Sequence, residues 1–423
     1  MGNWMPANHE AHREWLGGVI KEADSNDKEL HPVIQEFKTL IETNTRVYLL
    51  LEGMFKEVPN KKPYRQDPTG HPEIRGYNHF LQVLNHLLTT APSWTDKAHR
   101  VGLVGLPINA VLDWPMGTPS GYAAFLDPEI NAMLKKILNA WGDFLSSPAS
   151  AYVLNNTDHG WLGQAGYRDL TAAAKVGPTA AGALEFHEMF QCDPSAPNYG
   201  FKSWNDFFTR EFRDGMRPVA EPDNNKVIAN ACESRPYRVA HNVKGRDQFW
   251  IKSQPYSVLD MLAHDPYAEQ FIGGTCFELP SLACPVSGKV VRAFVKDGTY
   301  YSEPLFEGVG NPQPHSQDID IAGQVTSQGY ITATATRAII LIEADEPAIG
   351  LIGIIAVGMA EVSSCVITVK EGQHIVKGEA IGMFRFGGST FVQLLMPGVD
   401  VSGFPEPGME ENMPVRSRLA VVS

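Results

Sequence analysis

Apolar residues recur at helical spacing through about the first 180 residues, and at strand spacing from about residue 227 onward. His31–Glu42 places Val33, Phe37, Leu40 and Ile41 on one face. Pro32 suits the first turn of that helix, and Asp24, Ser25 or Asp27 offer a cap upstream. Tyr77–Leu88 and Glu129–Leu145 carry the same period, and Gly/Pro/Asn punctuation at Pro107–Gly121 and Asn155–Gly166 separates the helical segments. Beyond Val227 the pattern changes to short β-branched runs: Val227–Ala231, Lys289–Val295, Ala338–Glu343, Leu351–Val357, Ser364–Val369 and Phe391–Leu395. One short helix is expected among them at Val258–Ala263. The fold class is therefore α+β, with a helical N-terminal domain over residues 1–180 and a β-rich domain over 181–423. The most apolar stretch, Ala348–Ala360, is 13 residues long, which suits a buried strand and is too short to span a bilayer.

Two segments of the β-rich part resemble one another. Pro285–Tyr301 and Ser364–Phe384 each read as strand, Val-Lys-[Asp/Glu]-Gly turn, strand. Paired halves of this kind occur in biotinyl and lipoyl carriers, but neither half here has the lysine-bearing hairpin of a carrier. The preferred reading is a scaffold of two half-barrel-like repeats.

Composition changes this picture little. The chain is 43% hydrophobic and 20% charged, as in ordinary globular proteins. A net charge of −13 argues against nucleic acid or anionic lipid as a general partner. The five cysteines are odd in number and widely spaced, which points to reduced thiols in a cytoplasmic protein rather than a disulfide framework or zinc ribbon. The N-terminal residues Met1–Asp27 lack the apolar core of a secretory signal. A soluble enzyme without metal or transmembrane segment is expected, and a homo-oligomer is compatible with all of this.

The candidate chemistry lies in Phe386-Gly387-Gly388-Ser389-Thr390-Phe391, between two apolar strands. Alone, these small residues read as a hairpin turn. The sharper reading is self-cleavage between Gly388 and Ser389. The Ser389 hydroxyl would attack the preceding carbonyl, in a backbone geometry that glycine reaches without steric cost. The resulting ester sits on a β-carbon and can eliminate, and hydrolysis then leaves a pyruvoyl group at the new N-terminus. Its ketone condenses with a substrate amine and accepts the electrons released as carboxylate departs as CO₂. The cofactor is then self-derived from Ser389.

The surroundings of Ser389 resemble the processing site of the phosphatidylserine decarboxylase family. Ile381-Gly382-Met383-Phe384 precedes it and Met396-Pro397-Gly398 follows. Upstream, Phe207-Phe208-Thr209-Arg210 through Gly215-Met216-Arg217-Pro218 is similar to the family's Phe-Phe-x-Arg…Gly-x-Arg-Pro segment. Tyr256-Ser257-Val258-Leu259 resembles its Tyr-Ser-Leu helix start, and Val357-Gly358-Met359-Ala360-Glu361-Val362 resembles its strand facing the cut. Further stretches, among them Gly160-Trp161-Leu162 and Ile342-Glu343-Ala344-Asp345, are similar to a soluble fungal branch, so the likeness runs from about residue 30 to 400.

That resemblance implies a pyruvoyl-dependent decarboxylase acting on a small soluble L-amino acid, aromatic in this reading. Ser389 and Gly388 form the cleaved bond, Glu233 in Cys232-Glu233-Ser234 is the acid of the family's acid–His–Ser arrangement, and Phe384, Phe386 and Phe391 line an apolar substrate pocket. One departure is plain. The family carries Tyr-His-Arg-x-His before a Pro-x-x-Gly strand, whereas Phe277–Gly288 contains no histidine and Ala283 stands at the base's place. Glu278, His241, His264 and His315 are the candidate substitutes. The alternative is a processing-deficient member turned to a different reaction or a non-catalytic role.

Overall fold

The structure, a computed structural model, describes residues 9–25, 28–58, 73–95, 106–175, 184–231, 233, 238–246, 257–279, 283–304, 328–385, 390–405 and 412–423. Helices dominate the first half: α1 (His9–Ser25), α2 (Pro32–Thr43), α3 (Thr45–Met54), α4 (Tyr77–Leu87), α5 (Pro107–Leu112), α6 (Pro119–Leu126), α7 (Pro128–Ser146) and α8 (Gln164–Ala174). The short helices α9 (Phe186–Met189) and α10 (Trp204–Phe208) follow. The three helices expected from periodicity are α2, α4 and α7. In α2 the cap is the His31 side chain, which accepts from the Val33 N–H; Asp24 and Ser25 do not take that place, and Asp27 lies outside the described residues. The start of α7 follows local chemistry: Pro128 opens it and Asp127 accepts from the Glu129 and Ile130 amides.

Twelve strands follow in the described residues. Seven form one antiparallel sheet in the order β2 (Arg238–His241), β3 (Thr275–Leu279), β10 (Thr390–Leu395), β6 (Leu351–Val357), β5 (Arg337–Ala344), β4 (Gly288–Lys296) and β8 (His374–Ile375). A three-stranded sheet joins β1 (Val227–Ala229), β12 (Arg418–Val422) and β11 (Val401–Ser402), and β7 (Ser364–Ile367) pairs with β9 (Gly382–Arg385) alone. The expected helix is present as α11 (Val258–Met261), and α12 (Gln328–Thr334) precedes β5.

The large sheet is apolar on both faces, so its central strands show unbroken hydrophobic runs instead of alternation. On β5, Ile339 and Leu341 join the cluster shared with the helices, whereas Ala338, Ile340 and Ile342 join a second cluster on the opposite face. On β6, Ile355 and Val357 belong to the first cluster, and Ile352, Ile354 and Ala356 to the second. The same rule divides β10, with Val392 and Leu394 on one side and Phe391 and Leu395 on the other. The 13-residue apolar stretch is thus explained by β6, which is buried at every position.

The two similar segments are paired differently. In the first, β4 lies between β5 and β8, and Thr299 makes only an isolated bridge to Ala335 after the turn. In the second, β7 pairs with β9, while β8 adds to the edge of the large sheet.

Candidate active site

The chain leaves β9 in the two-stranded sheet and enters β10 in the middle of the seven-stranded one. These two strands do not pair with each other, which replaces the hairpin reading of the small residues between them. Phe386, Gly388 and Ser389 themselves lie outside the described residues. Covalent geometry nevertheless ties Ser389 to within one Cα step, about 3.8 Å, of Thr390. Thr390 opens β10 opposite Val357, the last residue of β6, and Val357 in turn faces Arg337, the first residue of β5. By the alternation of these strands, the row Thr390–Val357–Arg337 belongs to the face that meets the helices.

Arg337 is held rather than free to act. Its guanidinium donates to the carbonyls of Met261, Asp260 and Ala335 at 2.6–2.8 Å. Burial brings its pKa down to about 10, so it stays charged and pins α11 beside the site.

Of the aromatic residues expected at a pocket, Phe391 is fully buried in the second cluster, where it lies opposite Ala356. Phe384 is partly buried and packs against both clusters.

Glu233 lies beside the segment in which the histidine is missing. The Ala283 amide donates to the Ala231 carbonyl at 2.6 Å, two residues from Glu233. Both oxygens of Glu233 accept from Arg217, Oε2 from Nε at 2.5 Å and Oε1 from Nη2 at 2.6 Å. Arg217 also donates to the Ala174 and Met216 carbonyls and stacks on Phe212 at 4.2 Å. The carboxylate that the resemblance assigns to a histidine is thus engaged by an arginine.

The candidate substitutes are dispersed. His241 sits opposite Thr275, which pairs with Leu395 at the far end of β10, and its Nδ1 lies 3.1 Å from the Thr275 hydroxyl. His264 is exposed and contacts Asp260 at 3.0 Å. His315 lies outside the described residues. Glu278 is buried on β3 opposite Val392, with Arg238 facing it from β2.

A further buried carboxyl stands at the end of β6. Gly358 donates to the Thr336 carbonyl, and a Cβ there would come within 2.8 Å of Thr336 O and 2.7 Å of Ser363 Cα, so only glycine fits this approach. Ala360 then takes a left-handed backbone, φ 51°, and donates to the Tyr300 carbonyl at 2.9 Å. The next residue, Glu361, is carried inward and is 2% exposed. Its Oε1 accepts the amides of Ile108 and Asn109, at the start of α5, the latter at 2.8 Å. Among the described residues its Oε2 is buried without a hydrogen-bond partner, and so is the hydroxyl of neighbouring Tyr301.

Burial pushes Glu361 up to about 7, against the opposing pull of the backbone amides. The sign of the stability effect follows. The native state keeps a proton that the unfolded chain releases above its ordinary pKa of 4.5, so stability falls as pH rises from there to about 7. In a Ser389→Ala background, which keeps one covalent form, Glu361→Gln is expected to gain about 3 kcal/mol relative to the parent between pH 4 and pH 8. Thermal melts of the pair across that range check it. A constant difference between the two would contradict it.

Sequence reasoning singled out Val357–Val362 as a strand facing the cut but did not single out Glu361. A lone glutamate after a strand carries no periodic signal. Among the described residues, no group of three His, Cys, Asp or Glu side chains could hold a metal ion, and no helix is long and apolar enough to cross a membrane.

Comparison with known proteins adds the following. The family model described as phosphatidylserine decarboxylase matches residues 204–421, and a second model of the same description matches residues 31–170. An L-tryptophan decarboxylase of Psilocybe cubensis is 34% identical over 427 residues, spanning 96% of this chain and 91% of its own length. A decarboxylase of Amanita muscaria is 38% identical over 312 residues, 71% of this chain and 87% of its own. Phosphatidylserine decarboxylase proenzyme 3 of Schizosaccharomyces pombe is 29% identical over 51% of this chain, which corresponds to 21% of that protein.

Proposed function

The chain belongs to the phosphatidylserine decarboxylase family and is a carboxy-lyase, and from that premise we propose that it decarboxylates a soluble aromatic L-amino acid after cutting itself between Gly388 and Ser389. The observation that carries this reading is the place of the Gly-Gly-Ser-Thr run. It links β9 in one sheet to Thr390 at the start of a central strand in another, on a face where the buried Glu361 Oε2 and Tyr301 hydroxyl have no hydrogen-bond partner among the described residues. Buried polar atoms of this kind are places where water, a ligand or a reacting group can bond. They suit a small polar carbonyl formed at the start of β10.

Once formed, a pyruvoyl group supplies a ketone that binds an amine and takes up the electrons left by departing CO₂. The chain's own residues do the rest. Ser389 is the nucleophile and Gly388 carries the carbonyl that it attacks. Glu233, locked to Arg217, steadies the chain next to Ala231, which accepts from the Ala283 amide. Phe384, with Phe386, forms the apolar side of the substrate site, and Phe384 keeps the partial exposure that contact with a ligand needs, whereas Phe391 is fully buried on the opposite face of β10 and does not line it. Water is excluded by the helical half, which covers this face of the sheet.

An aromatic amino acid is favoured over a phospholipid because likeness to the L-tryptophan decarboxylases extends over the whole chain, whereas likeness to the proenzymes covers about half. The acidic balance of the chain agrees with an enzyme working on small molecules rather than on nucleic acid or anionic lipid.

The experiment is release of CO₂ from L-tryptophan, L-tyrosine, L-phenylalanine and phosphatidylserine vesicles. L-Tryptophan is expected to lead by at least about tenfold in kcat/KM, the discrimination that a shaped apolar pocket supplies. Preference for the vesicles would overturn the substrate assignment. Absence of a histidine at Ala283 favours a second reading, loss of processing. Uncut protein with no CO₂ release from any of the four would select it.

A further inference from the structure

From the buried corner at the end of β6, we infer that Glu361 is the general base of self-cleavage, standing in for the histidine that this chain lacks. The inference rests on the decarboxylase reading above and deepens it.

Three observations bring Glu361 to the end of the sheet at which β10 begins. First, β6 and β10 are antiparallel, so the residues after Val357 and those before Thr390 emerge at the same end of the sheet. Glu361 is four residues beyond Val357, and Ser389 is the residue before Thr390. Second, the turn through Gly358 and Ala360 is tied to the Thr336 and Tyr300 carbonyls, on the face to which Thr390 belongs. Third, one oxygen of the carboxylate is fixed by the Ile108 and Asn109 amides, and the other is buried without a side-chain or main-chain hydrogen-bond partner among the described residues. A carboxylate fixed by one oxygen and open at the other is oriented to accept a proton.

The surroundings favour proton transfer near neutral pH. α5 has no ionisable side chain, and Asp113 just after it is paired with His12 at 3.4 Å. On the opposite side stand Tyr301, which burial and the charge of Glu361 hold well above the usual phenol range, and Glu303, buried two residues further on. With Glu361 at about 7, a large fraction is ionised at cellular pH, yet its conjugate acid can give the proton back. Glu278 is less suited, because it lies opposite Val392, further along β10 from the cut than Thr390, and Arg238 faces it from β2.

The step balances within the chain. Glu361 Oε2 takes the hydroxyl proton of Ser389 as Oγ bonds to the Gly388 carbonyl carbon. The Gly388–Ser389 C–N bond then breaks, and the proton passes from Glu361 to the released Ser389 amine. An ester replaces an amide, with no oxidant or co-reactant.

Cell-free translation with labelled methionine tests this directly, since residues 389–423 contain Met396, Met409 and Met413. Glu361→Gln keeps an acceptor for the two amides and matches the protonated side chain in shape. It is expected to release the fragment at least about 10²-fold more slowly than the wild type, the usual worth of a general base. The wild-type rate is expected to rise with pH through about 7 and then level, a limb that Glu361→Gln lacks. Equal cleavage rates for the two chains would overturn the role of Glu361 and leave the decarboxylase reading standing. A wild-type chain that never cuts would overturn that reading itself, and this inference with it. If Glu361→Gln does not fold, the wild-type profile decides alone, and a rate independent of pH from about 5.5 to 8.5 rules Glu361 out.

Discussion

Replacing Ser389 by alanine leaves the chain whole at 423 residues and removes decarboxylation altogether. The expectation follows from the proposed chemistry, in which the Ser389 oxygen is both the nucleophile that opens the backbone and the group eliminated afterwards. Alanine has neither, and no neighbouring hydroxyl can substitute, because Thr390 is already committed to β10 opposite Val357. The loss should be complete within detection, at least about 10⁴-fold, since the substitution removes the electron acceptor itself and not merely an assisting group. Folding should be preserved. Residual turnover above about 0.01% would mean that the reaction draws on another carbonyl.

The second large effect concerns the Arg217–Glu233 pair. Arg217 is 4% exposed at its side chain and Glu233 is 20% exposed. Two charge-assisted bonds, two backbone carbonyls and the Phe212 ring hold the guanidinium. Removing one partner of such a pair strands the other, and breaking buried pairs costs about 3–5 kcal/mol. Glu233 retains some access to water, so Arg217→Ala is expected to cost about 3 kcal/mol. Glu233→Ala is expected to cost as much or more, because the stranded guanidinium cannot give up its charge. A double-mutant cycle by chemical denaturation should return a coupling of about 2 kcal/mol. Additive losses would mean that the two residues act separately. The consequence reaches function because the Ala231 carbonyl, two residues before Glu233, receives the Ala283 amide. Loosening the pair loosens the segment in which a histidine is replaced by alanine.

Much of this architecture was legible in the chain. Periodicity located α2, α4 and α7 because each buries one stripe, and it located β5, β6 and β10 because strands covered on both faces read as apolar runs. What depended on distant partners was not legible. The small residues around Ser389 look like a hairpin turn locally, yet β9 and β10 find different partners far along the chain. The segments at 285–301 and 364–384 share a pattern, but pairing sends their strands to different places. The cap of α2 was assigned to the wrong side chains because His31, a less usual cap, immediately precedes Pro32. Glu361 shows the same limit most clearly. Its burial and its two amide donors come from α5, 253 residues earlier, and no local window contains both.

The surest trial of the mechanism is mass spectrometry of purified protein treated with borohydride in the presence and absence of L-tryptophan. Two chains, 1–388 and 389–423, should be found, and only the shorter should gain a reduced adduct of the amine. A single unmodified chain of 423 residues under both conditions would leave the family assignment intact and remove the ketone on which the proposed catalysis depends.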